Sequence, residues 1–232
     1  SNGDIIEIGG KYLKHATGIS LLHLLIGSEG TLGIITEVIL KILPLPEHKA
    51  VITAAFQNLH HCSHALQNIY QGGIIPAAVE LLDRSMIQGL NEFQPEIGLP
   101  DVEAMLFFEV DGSVQETRRV AENIVEFCKA ADSVNVEWSD DPETCEALWK
   151  ARSMAGGSVA RTVKALSRVY LGAEDIIVPI SKIPDLLIGI RAISEKTGIP
   201  MYVYGHFGEG RGRILRMTSV IIPSVPSDPI SK

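Results

Sequence analysis

The 232-residue chain has only three cysteines, Cys62, Cys128 and Cys145, far apart and with no CxxC pair. They read as buried thiols of a reducing compartment, with a bridge between two of them left open. Basic charge is scarce and scattered: the net charge is −8 and no concentrated basic patch occurs, which argues against a nucleic-acid partner. No apolar stretch approaches the ~20 residues of a membrane helix. The opening SNGDIIEIGG lacks the basic segment and long apolar run of a secretory signal. No internal repeat or low-complexity segment stands out. The chain is expected to be soluble and cytoplasmic.

Apolar material is plentiful. With 46% hydrophobic residues and a mean hydropathy of +0.19, the chain can build one large domain or two modest ones. Both ends are unusual. The start reads as the middle of a sheet, and the segment after Gly212 loses regular pattern and carries three prolines in its last ten residues. This is the expectation for a piece of something longer.

Residues 4–8 and 34–42 carry the β-branched, partly alternating pattern of strands. Leu21, Leu22, Leu24, Leu25 and Ile26 suit a short helix or buried turn, and Pro44 and Pro46 mark a boundary. Strands are then expected at 50–56, 77–82, 104–110, 134–138, 174–179 and 200–204, with helices at 60–71 and about 83–93 among them. Ser113 and Glu116 form a capping box for a helix whose inward face carries Val120, Ile124, Cys128 and Ala131. Asp141 caps the next helix, which carries Leu148, Trp149 and Arg152 before a break at 154–158. Ser181 is expected to cap a helix that stops at Gly198. Alternating strands and helices with short returns point to an α+β domain, an antiparallel sheet covered by helices on one face.

Three glycines at spacing three stand in Gly27-Ser28-Glu29-Gly30-Thr31-Leu32-Gly33. Glycine permits positive φ and lets a backbone approach a ligand without a side chain between them. The run is not a Walker loop, because no Gly-Lys-Ser/Thr follows. It also lacks the following helix whose N-terminus would hold a pyrophosphate. From spacing alone it is a tight turn with glycines at strained positions. By the same standard His206, at a strand end, is a structural hydrogen-bonding residue and Arg152 a solvated helix-end charge. Glu80, Asp83, Glu174 and Asp175 are fold residues or solvated charges, and Trp149 is core.

Taken in order, several segments carry a more specific message. GSEGTLGIITEVILKILPLPE, preceded by GDIIEIGGKYLKHATG, resembles the end of the flavin domain in FAD-linked oxidases of the vanillyl-alcohol oxidase (PCMH-type) superfamily. Within it, the glycolate oxidase and D-lactate dehydrogenase group is the most similar. IPAAVELLDRSMI, ALWKAR, EDIIVPISKIPDLL and YGHFGEG are similar to further motifs of that family, in the same order, over about residues 3–210. Gly18-Ile19-Ser20 departs from the family's Gly-Tyr-Asp.

The resemblance implies three segments. Residues 1–46 would be the last strands of a PCMH-type FAD-binding domain. Residues 47–210 would be a ferredoxin-like antiparallel cap domain covered by helices, and 211–232 an irregular divergent tail. It implies FAD contacts at Gly27, Ser28, Glu29, Gly30, Thr31, Gly33 and Ile34, the backbone approaching the flavin's ribityl and ring region rather than its phosphates. It implies Arg152 as a guanidinium clamp for a substrate carboxylate, a role suited to its forked donors. His206 would be a catalytic residue and a ligand to a divalent metal (Zn, Fe or Mn). The family's second motif histidine falls at Arg213 and its asparagine at Arg211, and neither its later glutamate ligand nor a Gly-Glu-His-Gly segment occurs. One ligand where three are expected predicts poor metal binding or none.

The implied activity is oxidation of a small 2-hydroxy acid, of D-lactate or glycolate type, to the 2-oxo acid. The implied partner is an iron–sulfur or other electron-acceptor subunit, which could hold the protein at a membrane. The family's N-terminal flavin-pyrophosphate turn does not occur, so residues 1–232 by themselves are expected neither to bind FAD tightly nor to turn over. The alternative is a non-catalytic accessory or paralogue subunit assembled with a flavin-bearing partner.

Overall fold

The computed structural model describes residues 3–12, 14–153, 168–209 and 211–220. The expected break at 154–158, Gly210 and the segment 221–232 lie outside them. The chain divides into two compact units, Ser1–Leu45 and Pro46–Lys232.

In the first unit the only regular element among the described residues is the short helix α1, Leu21–Leu25, where the apolar patch suggested one. Ser20 caps it, its Oγ accepting from the His23 N–H. The strands expected at 4–8 and 34–42 do not form there. A strand's hydrogen bonds are all made to another segment, so an alternating pattern specifies a strand only where a partner is supplied. Large apolar side chains remain open along this unit, Ile5, Ile19, Ile34, Ile42 and Leu45 each being more than 85% exposed.

The second unit is built on an antiparallel sheet. In chain order its strands are β1 (His48–Phe56), β2 (Ala78–Asp83), β3 (Ala104–Gly112), β4 (Asn135–Ser139), β5 (Arg168–Ile177), β6 (Met201–Gly205) and β7 (Arg211–Val220). The spatial order is β4-β1-β3-β2-β6-β7-β5. The four strands β4-β1-β3-β2 reproduce the ferredoxin-like order, with helices α2 (Leu59–Gln71), α3 (Arg84–Phe93) and α4 (Val114–Ala130) in the connections. Helices α5 (Pro142–Ser153) and α6 (Ile183–Thr197) follow. The segment after Gly212, patternless in sequence, continues β7 to Val220 and pairs with both β5 and β6. It pairs with β6, which directly precedes it, and with β5, which is further back in the chain, and the second of these pairings is recorded by no local pattern.

Most helix starts follow the sequence. Ser113 Oγ accepts from the Glu116 N–H at the head of α4, and Asp141 accepts from the Thr144 N–H at the head of α5. Ser181 does not cap α6. It sits in a 3₁₀ turn, Ile180–Lys182, and α6 begins behind it with a proline in its first turn. Gly198, at φ +67°, closes the helix.

The core lies on both sheet faces rather than one. Ile52, Leu81, Leu106 and Phe108 pack with α2, α4 and α6, including Leu66, Ile124 and Leu187. Leu82, Met105 and Phe107, of opposite parity, pack with Met86, Ile87 and Leu90 of α3. This explains why β3 reads as an unbroken apolar run, since a strand covered on both faces has no solvent side to alternate with. Cys62 and Cys128 are buried in the first of these clusters and all three thiols are free. Burial pushes the Cys62 thiol up and that of Cys128 to about 12, so neither is a nucleophile.

Candidate active site

Strand β2 carries two buried carboxylates, on opposite faces as residues of unlike parity must be. Glu80 is 2% exposed and Asp83 is 8% exposed. The Asp83 Oδ1 accepts from the Met86 N–H (2.8 Å), capping α3, and from the Val203 N–H of β6 (3.1 Å). Burial pushes this carboxyl up to about 7, against those two hydrogen bonds and the Arg191 charge, all of which hold it down. Asp83 is thus a buried joint between β2, α3 and β6, not a solvated charge.

Glu80 is where the sequence-predicted residues meet. Leu82 pairs with Tyr204 and Leu81 with Gly205, so the antiparallel register brings the following residue, His206, opposite Glu80. The His206 Nδ1 lies 2.5 Å from Glu80 Oε1. From the end of α5, Arg152 Nη2 pairs with the other oxygen, Oε2. The Glu80 side chain is 3% exposed and that of Arg152 19%, whereas the His206 ring is 58% exposed and open to a ligand. Arg152 Nε and Trp149 Nε1, three residues apart on α5, are buried with no hydrogen-bond partner among the described residues. The same holds of Glu80 Oε2, which the Arg152 ion pair meets without a hydrogen bond of good geometry among the described residues.

The turn holding His206 is fixed from below. Phe207, 0% exposed, is driven into the core. Tyr70 Oη donates to the Gly208 carbonyl at 3.0 Å, and a Cβ at Gly208 would stand 2.7 Å from Val79 Cβ. The second glycine of the GHFG motif is therefore required by packing.

The set Arg152, Glu80 and His206 does not fit a divalent metal. It offers one imidazole and one carboxylate, and it sets a guanidinium charge against any cation. Among the described residues, no group of three His, Cys, Asp or Glu side chains converges as a metal site would require. The side chains of Arg211 and Arg213 lie outside what the structure describes.

The run Gly27 to Ile34 belongs to the other unit. Ser28 to Thr31 is a tight turn closed by the Thr31 N–H to the Ser28 carbonyl at 2.9 Å, with Glu29 and Gly30 at φ +51° and +78°. Positive φ at both central residues is the type I′ signature, in keeping with the turn the spacing implied. Gly33 is different. It has no positive φ, and nothing among the described residues lies within 4 Å of where its Cβ would be. Among the described residues, neither conformation nor crowding accounts for glycine there.

Sequence reasoning singled out Arg152 and His206 but treated Glu80 as scaffold. The available signal was a carboxylate within the apolar strand AVELL, since a charge buried in a sheet must be paired.

Comparison with known proteins supplies the family. The family of FAD linked oxidases, C-terminal domain, matches residues 45–217. The glycolate oxidase subunit GlcD of Bacillus subtilis is 37% identical over 211 residues, covering 90% of this chain and 44% of that protein. A D-lactate dehydrogenase of Anaerostipes hadrus is 28% identical over 215 residues, again 90% and 44%. The chain thus spans less than half the length of these relatives. Among solved structures, an alkyldihydroxyacetonephosphate synthase has a TM-score of 0.64 at 16% identity, covering 89% of this chain and 43% of that one. A p-cresol methylhydroxylase has 0.55 at 10%, with 77% and 40% covered. Both share the fold. A match over residues 45–217, on the antiparallel unit that gathers Arg152, Glu80 and His206, makes this chain a member of the FAD-linked oxidase family.

Proposed function

We propose that the protein carrying this chain oxidises a small 2-hydroxy acid, of D-lactate or glycolate type, to the 2-oxo acid. The observation that carries the reading is the meeting of Arg152 and His206 on one buried carboxylate in a chain of the FAD-linked oxidase family. The guanidinium binds the substrate carboxylate through the donors not used on Glu80. His206 takes the hydroxyl proton. Backbone from Gly27 to Ile34, with Ser28, Glu29 and Thr31, would hold the flavin. The flavin, when bound, would supply the hydride-accepting chemistry, and the chain's own residues would orient the substrate for it. No step runs through a metal.

The test is flavin absorbance and dye reduction with D-lactate, L-lactate and glycolate, read on one purified sample of protein containing residues 1–232. Arg152→Lys keeps a charge facing Glu80 but loses the fork. KM is expected to rise about tenfold to a hundredfold, on the order of the 1.5–3 kcal/mol of a charged hydrogen bond, with kcat held within a few-fold. An unchanged KM would overturn the clamp. Absence of turnover together with a co-purifying flavin subunit would favour the accessory reading instead.

A further inference from the structure

We infer that Glu80 is a positioning residue that fixes His206 as the Nδ1–H tautomer and leaves Nε2 as its proton-accepting nitrogen. This rests on the reading of His206 as the proton acceptor, and adds the group that makes it one.

The carboxylate is closely confined. Glu80 lies in β2 between β3, where it is paired with Phe107, and β6, and its side chain is 3% exposed. Each oxygen has one ionic partner: Oε2 takes Arg152, which can only donate, and Oε1 faces His206 Nδ1 at 2.5 Å. A carboxylate only accepts, so the ring donates from Nδ1. In a neutral imidazole the other nitrogen is then bare. The ring cannot turn away easily, because Phe207 and Gly208 anchor the residues that follow it. The consequence is directional. A substrate O–H meets a lone pair at Nε2; the O–H bond breaks, an N–H bond forms there, and the imidazolium charge is opposed by Glu80. Arg152 is held on the other oxygen of the same carboxylate. An exposed histidine without such a partner would present either nitrogen.

Long-range ¹H–¹⁵N correlation on histidine-labelled protein tests this, His206 being assigned by loss of its signals in His206→Gln. In the wild type the unprotonated nitrogen is expected to be Nε2. Glu80→Gln, whose carbonyl still accepts from Nδ1, is expected to keep that pattern, whereas Glu80→Leu is expected to exchange it for Nε2–H. An Nε2–H ring in the wild type overturns the inference, and needs no variant to fold. A Glu80→Leu protein with native circular dichroism and an unchanged tautomer overturns it too. The readout is independent of turnover. An Nδ1–H His206 in a protein that oxidises no hydroxy acid removes the proposed function and leaves Glu80 in its role. Turnover with an Nε2–H ring does the reverse.

Discussion

Asp83 is the residue whose burial has the clearest energetic consequence. Its carboxyl is raised from the ordinary 3.8 to about 7, chiefly by burial, so the folded state binds the proton more tightly than the unfolded chain. For an acid shifted upward, the stabilising contribution is full below about pH 4 and is lost as pH rises through about 7. The loss is on the order of 4 kcal/mol at 1.36 kcal/mol per pKa unit. The charged groups sensed there are Arg191, which opposes the shift, and Glu103, which supports it. Asp83→Asn keeps an oxygen for the Met86 and Val203 N–H groups and removes the titration. Urea midpoints at pH 5 and pH 8 are expected to differ in the wild type, lower at pH 8, and to converge in the variant. A wild-type midpoint that rises with pH over that interval would contradict the burial argument.

At the scale of the element, β3 shows what two-sided burial means. Phe107 and Phe108 are adjacent, point to opposite faces and are 1% and 0% exposed, each in a different apolar cluster. In a strand with one wet face, one of the two would be dispensable. Here Phe107→Ala and Phe108→Ala are each expected to cost about 3–5 kcal/mol in denaturant unfolding. A loss below ~1 kcal/mol for either would show its face to be open. The helix starts obey a more local rule. Asn58, Asp83, Ser113 and Asp141 each accept from a backbone N–H two or three residues on, so a short polar side chain before an apolar run suffices to begin a helix. Ser181 fails this rule because Pro184 and the preceding 3₁₀ turn set the entry into α6.

At the scale of the molecule, the two units contribute unequally to stability. Among the described residues the buried apolar ones run from Ala50 to Phe207, and none of those in the first unit is buried. Residues 46–232 are therefore expected to unfold cooperatively by themselves, with a thermal midpoint within about 3 °C of the 232-residue chain, the shift of about 1 kcal/mol at this size. Loss of a cooperative transition would show that the first unit supports the core. The exposed isoleucines and leucines of residues 3–45 are also expected to bind a hydrophobic dye, and dye fluorescence should fall when they are removed.

What the sequence determined by itself is what depends on near neighbours. Helix caps, the glycine stop of α6, the apolar periodicity of α4 and the tight turn at Glu29-Gly30 are settled within a few residues, and they are legible in the order of the letters. The family motifs, with Arg152 and His206 among them, are legible for the same reason, each being a short fixed run. Ladders are not local. The tertiary structure alone withheld strands from 4–8 and 34–42, supplied β7 with two partners, and turned β3's side chains into two cores. It also decided the meaning of Glu80. A glutamate in an apolar strand is a sign of pairing, but which groups it pairs with follows from the β2–β6 register and from where α5 ends. The 72 residues from Glu80 to Arg152 and the 126 from Glu80 to His206 are closed only by the fold, because tertiary packing brings them together and no local propensity can.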